Sequence, residues 1–438
     1  MASSIRSLLP RTTHHLLRQT RPAAARRRLA QPLLQIQSQR RLQSQQSLIS
    51  TPELHAPDAL EPRLTSIDTQ TLEITEATSP KDLTPSHQLV FGATFTDHML
   101  SVEWTASDGW FPPRITPYQN LSLDPATCVF HYGFECFEGM KAYRSKDGGL
   151  RLFRPDMNMA RFNKSSSRIA LPMFDGEKVI ELIKTLVRLD ERFIPHERGY
   201  SLYLRPTMIG TQRTLGVGPP GSALMYVIAS PVGPYYPTGF KAISLQATRY
   251  AVRAWPGGTG HYKIGGNYAP GIVPQMHAAT KGLQQNLWLF DDVDPITGKM
   301  EQYLTEVGTM NLFVAVVDKN TGVKELITPP LDGTILEGVT RNSVLALAEE
   351  RMVTEGWKVS ERKIHMRELK EASAQGRLLE VFGSGTAAVV SPVRSIWWDG
   401  EEVNCGLSPD QQAGPVTQQM KDWIEGIQYG DEPGHPWR

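Results

Sequence analysis

The stretch "HYKIGGNYAP", residues 261–270, sets one lysine, Lys263, among glycines with little else charged nearby. An amine that is to attack a carbonyl must be unprotonated, and a free lysine at neutral pH is almost wholly ammonium. Burial or a neighbouring cation lowers its pKa, and a Schiff base removes the difficulty by holding the nitrogen covalently. Downstream, "LTEVGTMNLF" carries Glu306 beside Gly308 and Thr309 at what reads as a strand edge. "LEGVTRNSVLALAEE" places Gly338, Val339 and Thr340 before an apolar-periodic helix, whose start offers free N–H groups to a phosphate. "LEVFGSGTAAVV" supplies a second glycine-rich turn, expected at Gly383–Thr386. These are the parts that pyridoxal phosphate chemistry needs: an amine, an acid that keeps the pyridine nitrogen protonated so the ring accepts electrons, and cradles for phosphate and substrate carboxylate. Taken singly each is weak. Lys263 alone reads as a solvated loop lysine, and Glu306 alone as a surface carboxylate.

The elements that must hold these residues read as two α/β units. Alternation in "HQLVFGATFTDHMLSVEW" suggests strands, and Pro155 opens a helix in "RLFRPDMNMARF". "DGEKVIELIKTLVRLDERF" puts Val179, Leu182, Ile183, Leu186 and Leu189 on one helical face. "YSLYLRPTMIG" and "ALMYVIAS" read as strands and complete a unit over 86–229. The Pro-, Gly- and Tyr-dense segment 230–240 reads as the connection between domains. A second unit over 241–438 begins with strands in "KAISLQAT" and "NLWLFDDVD" and a helix behind Pro270. It continues with a hairpin turning at Asn320-Thr321-Gly322 and a helix ending at Gly356.

Composition is that of a globular protein, with 40% hydrophobic and 21% charged residues in 438. The net charge of +1 hides an asymmetry, because the first 52 residues hold nine arginines and no acid. The rest holds 37 basic against 45 acidic residues, a balance with no attraction for nucleic acid or anionic lipid. Residues 1–50, rich in Arg, Ser and Gln and broken by prolines, have the composition of a mitochondrial transit peptide, and 51–85 that of a polar linker. A disordered basic tail that binds nucleic acid is the alternative. No apolar run reaches the ~18 residues of a membrane span. Cys128, Cys136 and Cys405 form no CxxC, which suggests a reducing compartment and no structural metal.

The run "GGTGHYKIGGNYAP", "EVGTMNLF", "ITPPLDGTILEGVTR" and "EVFGSGTAAVV" resembles the fold-type IV pyridoxal-phosphate aminotransferases. Among these it looks like the branched-chain amino-acid aminotransferases in their eukaryotic form. "FTDHMLSVEW", "FEGMKAYR", "LFRPDMNMARF" and "YLRPTMIG" extend the likeness from about residue 88 to 430. The resemblance implies a two-domain α/β (α+β) fold, with a smaller N-terminal domain and a larger C-terminal pseudo-barrel. It implies pyridoxal 5'-phosphate as cofactor, a mitochondrial (matrix) homodimer, and transfer of the amino group of leucine, isoleucine or valine to 2-oxoglutarate. Residue by residue, Lys263 matches the lysine joined to the cofactor, Tyr268 the tyrosine on its phenolic oxygen, and Glu306 the acid facing its ring nitrogen. Arg161, the amides of Val339 and Thr340, and Thr386 match the phosphate cup. Tyr132 and the Thr386–Ala387 backbone match the α-carboxylate site. Phe91, Phe137 and Tyr203 match pocket walls, with Thr309 counted among the substrate-binding positions. Tyr235 matches a linker tyrosine that closes over the pocket, and Arg205 lies where the family tunes recognition of the acidic second substrate. Where animal mitochondrial members carry a redox CxxC, this chain has Ala388 and Ser391, so no thiol switch is expected there.

Three other readings compete. "GSGTAA", 383–388, fits a dinucleotide fingerprint, but Pro392 would fall inside its helix at a cost of ~3 kcal/mol, and too little chain follows for a Rossmann half. His131 and His261 invite an acid–base role, although His261 is better read as structural despite lying two residues from Lys263, and His131 likewise. A D-amino-acid aminotransferase or an aminodeoxychorismate lyase would keep Lys263, Arg161 and Glu306, but not "FEGMKAYR" and "FTDHMLSVEW" together.

Overall fold

The computed structural model describes residues 66–235 and 239–437. The transit-peptide expectation, and the part of the linker expectation before residue 66, lie outside the described residues. The chain forms two mixed sheets. In the first, His98–Thr105, Ser222–Val232 and Ser201–Gly210 are central antiparallel neighbours. Arg114–Pro117 and Glu73–Ile74 extend one side, and Met140–Arg144 with Leu150–Leu152 the other. The short strand Glu135–Phe137 pairs with Ser201–Gly210 off this path.

Two helices cover this sheet. Pro155–Arg168 starts on its proline, whose missing N–H costs nothing at a first helical position. Gly176–Leu189 is capped by Asp175, whose side chain accepts the Glu177 N–H. Val179, Leu182, Ile183 and Leu186 are buried at the spacing that one helical face requires, and Leu189 is half-buried where the helix ends. Each such burial stabilises by about 1.5–3 kcal/mol, so Leu186→Ala should cost about 2–5 kcal/mol.

The second sheet closes on itself. Its ring runs Met300–Val307, Gln285–Val293, Ile243–Thr248, Val389–Trp398, Leu378–Gly385 and Met310–Val317. The pairs Glu306↔Asn311 and Val307↔Met310 close it, which leaves no free edge in the ring. Lys324–Thr328, Lys358–Glu361 and Glu401–Asn404 lie outside the closure. Val232 ends the last strand of the first sheet and Ile243 begins the barrel, so the described residues 233–235 and 239–240 belong to neither.

Two expectations differ from the structure. Residues 66–85, expected within a polar linker, are partly built into the first sheet. Ile67 is buried, Glu73–Ile74 pairs parallel with Arg114–Ile115, and the amides of Ala77 and Lys81 donate to His98 Nε2 (2.9 Å) and Asp97 Oδ1 (2.8 Å). Side-chain acceptors hold this strap, so it has no apolar period to read. Gly383–Gly385, expected in a turn, ends a strand, and the turn is Thr386–Ala388. The side chain of Met310 packs 3.0 Å from where a Cβ of Gly383 would be and 3.3 Å from where that of Gly385 would be, tighter than an ordinary contact. The strand turns back into Val389–Trp398 and not into a helix, as the rejection of the dinucleotide fingerprint requires.

Candidate active site

Lys263 is not on a loop tip. Its N–H donates to Ser165 Oγ on the first-sheet helix (2.8 Å), and its carbonyl accepts the Phe137 N–H (3.1 Å). The next residue, Ile264, bridges Cys136. The segment before helix Ile272–Thr280 therefore leaves the barrel and docks on the first sheet, which places the Lys263 amine between the two. The flanking glycine Gly265 serves this docking. A Cβ there would fall inside the Glu135 carboxylate, so that glycine clears space for a protein side chain.

The amine reaches a cavity of about 370 Å³. Lys263 Nζ donates to Tyr268 Oη at 3.1 Å and lies 4.7 Å from the centre of the Phe137 ring. Phe137 and Tyr268 are tilted neighbours at 5.0 Å. Across the cavity, Phe91 meets Tyr203 at 4.9 Å and Tyr235 at 5.2 Å, both edge to face. Arg205 lies over Phe137 at 4.7 Å and donates to Tyr203 Oη at 3.2 Å. Its Nε is buried with no hydrogen-bond partner, and among the described residues no carboxylate lies within ion-pair distance of the guanidinium, Glu135 acting on it from farther away. Thr309, Val339, Thr340, Thr386 and Ala387 complete the lining on the barrel side.

Glu306 stands behind Asn311 and Leu336, which do face the cavity. It is buried on a barrel strand, not at the strand edge that its neighbours suggested. Its Oε1 accepts the Leu336 N–H (2.7 Å) and Asn311 Nδ2 (3.1 Å), and Arg253 Nε lies 2.6 Å from Oε2. Burial pushes this carboxyl above its ordinary range, and Arg253 is the strongest of the contributions that pull it back. A carboxylate has about four lone-pair sites, so three partners leave room for one more donor.

Arg161 is fully engaged on one edge. Nε and Nη2 donate to the buried Glu138 at 2.7 and 2.8 Å, and Nη1 to the Glu337 carbonyl at 2.9 Å. Five guanidinium N–H groups less three leaves two donors. Helix Val339–Leu347 adds its free first-turn amides, its Gly338 cap having no side chain to occupy them. Ser384 Oγ, buried without a partner, also lines the cavity. This set of unused donors suits a phosphate.

One expected residue is elsewhere. Tyr132 is exposed, outside the lining of this cavity, and its hydroxyl donates to the Leu215 carbonyl. Of the histidines, His131 meets the Pro125 carbonyl at 3.0 Å, and His261 packs on Tyr262 at 4.0 Å; neither lines the cavity. Two partners escaped sequence reasoning, Arg253 and Glu138. Both had a signal, since a buried carboxylate and a buried guanidinium each require an opposite charge. Nothing in the spacing said which charge.

Comparison with known proteins supplies the family. Residues 135–396 match the amino-transferase class IV family. The chain is 55% identical over 374 residues to the cytosolic branched-chain-amino-acid aminotransferase of Saccharomyces cerevisiae, spanning 85% of this chain and 97% of that one. It is 50% identical to the mitochondrial one of Schizosaccharomyces pombe, spanning 89% and 88%. Among solved structures, the branched-chain amino acid aminotransferase of Escherichia coli superposes with a TM-score of 0.59 at 26% identity, covering 77% and 97%. With its two sheets, its closed barrel and its lysine between them, the chain belongs to the class IV amino-transferases, and within them to the branched-chain-amino-acid aminotransferases.

Proposed function

We propose that the protein is a pyridoxal-phosphate transaminase that reversibly transfers the amino group of leucine, isoleucine or valine to 2-oxoglutarate. The observation that carries this reading is the convergence on one cavity of a lysine amine, a buried acid behind it, unused anion donors and an aromatic box. The names of the relatives agree with it. So do two solved branched-chain amino acid aminotransferase structures of similar fold, one with pyridoxamine 5'-phosphate and one with a phosphopyridoxyl-glutamate adduct.

When bound, pyridoxal phosphate supplies an electron sink for the substrate carbanion and a carbon that carries the amino group between two substrates. Arg161, the first-turn amides of Val339 and Thr340, and Thr386 hold its phosphate. Glu306, fixed by Arg253, Asn311 and the Leu336 amide, holds a proton donor on its remaining lone pair. Lys263 Nζ takes the proton from the substrate Cα as general base, and the Tyr268 hydroxyl beside it orients the amine. Phe91, Phe137, Tyr203 and Tyr235 reward buried area and offer no fixed charge to a branched apolar side chain. Arg205, without a carboxylate partner among the described residues, suits the second carboxylate of 2-oxoglutarate or glutamate.

A homodimer accounts for Tyr132. Phe130, Leu215 and Val217 are exposed with it, as are Trp255, Ile272, Val273 and Met276 on the barrel side, and exposed apolar surface of this kind suits a partner copy. In a dimer, Tyr132 of one copy is free to serve the other's carboxylate site. The basic N-terminus and the mitochondrial relatives support mitochondrial import. A fusion of residues 1–52 to a fluorescent protein tests it, since cytosolic fluorescence would refute it.

The central test is chemical. Purified protein should be yellow, borohydride should bleach it while fixing the cofactor on Lys263, and mass spectrometry should find that adduct. A colourless protein that takes up no pyridoxal phosphate would sink the reading.

A further inference from the structure

Lys141 is a charged residue that the site as described does not use. It lies on strand Met140–Arg144 with 6% of its surface exposed, and among the described residues no carboxylate is within ion-pair distance. Burial lowers its pKa from 10.5 to about 8, and Glu425, on helix Pro415–Tyr429, raises it only in part. Glu425 is itself held by Lys421 at 2.7 Å. A buried ammonium without its own counter-ion is costly, and a neutral side chain of that length would pack there at less cost.

Its one hydrogen bond among the described residues shows what the ammonium does. Lys141 Nζ donates to the carbonyl oxygen of Ala387 at 2.8 Å, across 246 residues of chain. Ala387 lies in the three-residue turn Thr386–Ala388, all three of which line the active-site cavity. Lys141 lines a separate small cavity on the other side of that turn. In a trans peptide the N–H points opposite to the C=O. A carbonyl of Ala387 drawn toward Lys141 therefore turns the Ala388 N–H away from it, toward the active site. Among the described residues, no backbone acceptor takes the N–H of Thr386, Ala387 or Ala388. The turn also ends in strain, because Val389 follows at φ 61°, a region that a β-branched residue rarely enters.

We propose that Lys141 is a positioning residue for the substrate carboxylate: its ammonium fixes and polarises the Ala387 carbonyl so that the free amides of the Thr386–Ala388 turn face the α-carboxylate. A charged donor on one end of a peptide unit strengthens the donor at the other. It acts through the backbone and touches neither cofactor nor reacting atoms. This rests on the reading that the turn holds the carboxylate, and the experiment separates the two.

Holoenzyme of Lys141→Met, Lys141→Arg and Ala387→Pro would be compared with the parent, with the cofactor absorbance checked in each. Two inhibitors are titrated: 4-methylpentanoic acid, which keeps the carboxylate, and 3-methylbutylamine, which lacks it. In Lys141→Met the acid should bind about tenfold more weakly, the equivalent of one lost charge-assisted contact. KM for leucine should rise by a similar factor, kcat should fall less than threefold, and binding of the amine should not change. Lys141→Arg, which can still donate to the carbonyl, should recover most of the acid's affinity. If Ala387→Pro weakens the acid while Lys141→Met does not, the turn holds the carboxylate and the role of Lys141 is overturned. If neither variant weakens it, the placement of the carboxylate fails as well. Equal weakening of acid and amine in Lys141→Met would mark general disruption and also refute the proposal.

Discussion

The floor and the mouth of the cavity are built on opposite terms. At the floor, Glu306 has three partners and Arg161 makes three hydrogen bonds to two, Glu138 and Glu337, nearly all of them buried. At the mouth, Arg205 has one hydroxyl partner and an orphaned Nε, and the rest is aromatic edge and face. A densely bonded network in low dielectric holds one geometry and is costly to disturb. An aromatic box with one unspent guanidinium accepts more than one guest. The difference fits a cofactor that stays in place while two chemically unlike substrates take turns.

The first way to break the comparison is to remove the amine that joins its halves. Lys263→Ala should lower kcat by about 10⁴-fold or more, since general base catalysis and covalent attachment are lost together. Steady-state assays with leucine and 2-oxoglutarate measure it, and activity within a hundredfold of the parent would refute the mechanism.

Next comes the floor. Glu306→Gln should cost about 10²–10³ in kcat through lost electrostatic support. It also leaves Arg253 buried without its counter-charge, a loss of about 3–5 kcal/mol in the cofactor-free protein. The double variant Glu306→Leu/Arg253→Met sharpens the point. It should regain part of the stability and none of the activity, because the apolar pair removes the unpaired charge but leaves the buried Leu336 amide without its acceptor. If Glu306→Gln unfolds at the parental temperature, the floor is not the tight network described.

The mouth should respond selectively. Arg205→Gln should weaken kcat/KM for 2-oxoglutarate by about 10–100-fold, the range of one charged contact. Its effect on the branched 2-oxo acids should be threefold at most. An equal loss for both would show that Arg205 braces the pocket and does not choose its guest.

How far the sequence disclosed this depends on the kind of constraint. Periodicity exposed the helix Gly176–Leu189, because its buried face is a local repeat. The strap 66–85 has no period, because His98 and Asp97 hold it through single hydrogen bonds. Chemistry and the resemblance named Lys263, Glu306, Arg161 and Tyr268, and the cavity or its wall contains all four. Their counter-charges Arg253 and Glu138 stayed hidden, since pairing depends on where strands cross and not on spacing along the chain. The Gly265 contact with Glu135 and the 246-residue reach of Lys141 to Ala387 are of the same kind. Tyr132 shows the converse: its type was read and its place was not, because nothing in its spacing says that it lies exposed and outside the cavity lining.

The smallest effect expected concerns Lys141, which belongs to neither region and braces the boundary between them. Its folded pKa of about 8 lies below the 10.5 of an ordinary lysine. Between these values the unfolded chain binds the proton more strongly than the native state, so this group's contribution to stability rises with pH across that window. Below pH 8 the full burial cost is present. At pH 7, Lys141→Met should therefore melt above the parent, by up to about 3 kcal/mol at 1.36 per pH unit. The gap should close as pH approaches 10. The other charges around the small cavity, Lys241, Lys421 and Glu425, are common to both proteins and cancel in the difference. Burial raises the Cys136 and Cys405 thiols, so stability falls as the unfolded thiols ionise within this window, but equally in both proteins, and this too cancels in the difference. Thermal melts of the two proteins at half-unit steps from pH 7 to 10 measure the gap directly. A gap that already changes at the full 1.36 kcal/mol per unit from pH 7 would mean that Lys141 is neutral where it lies, and the polarised turn would lose its cause; a gap that stays constant would mean that burial does not depress its pKa.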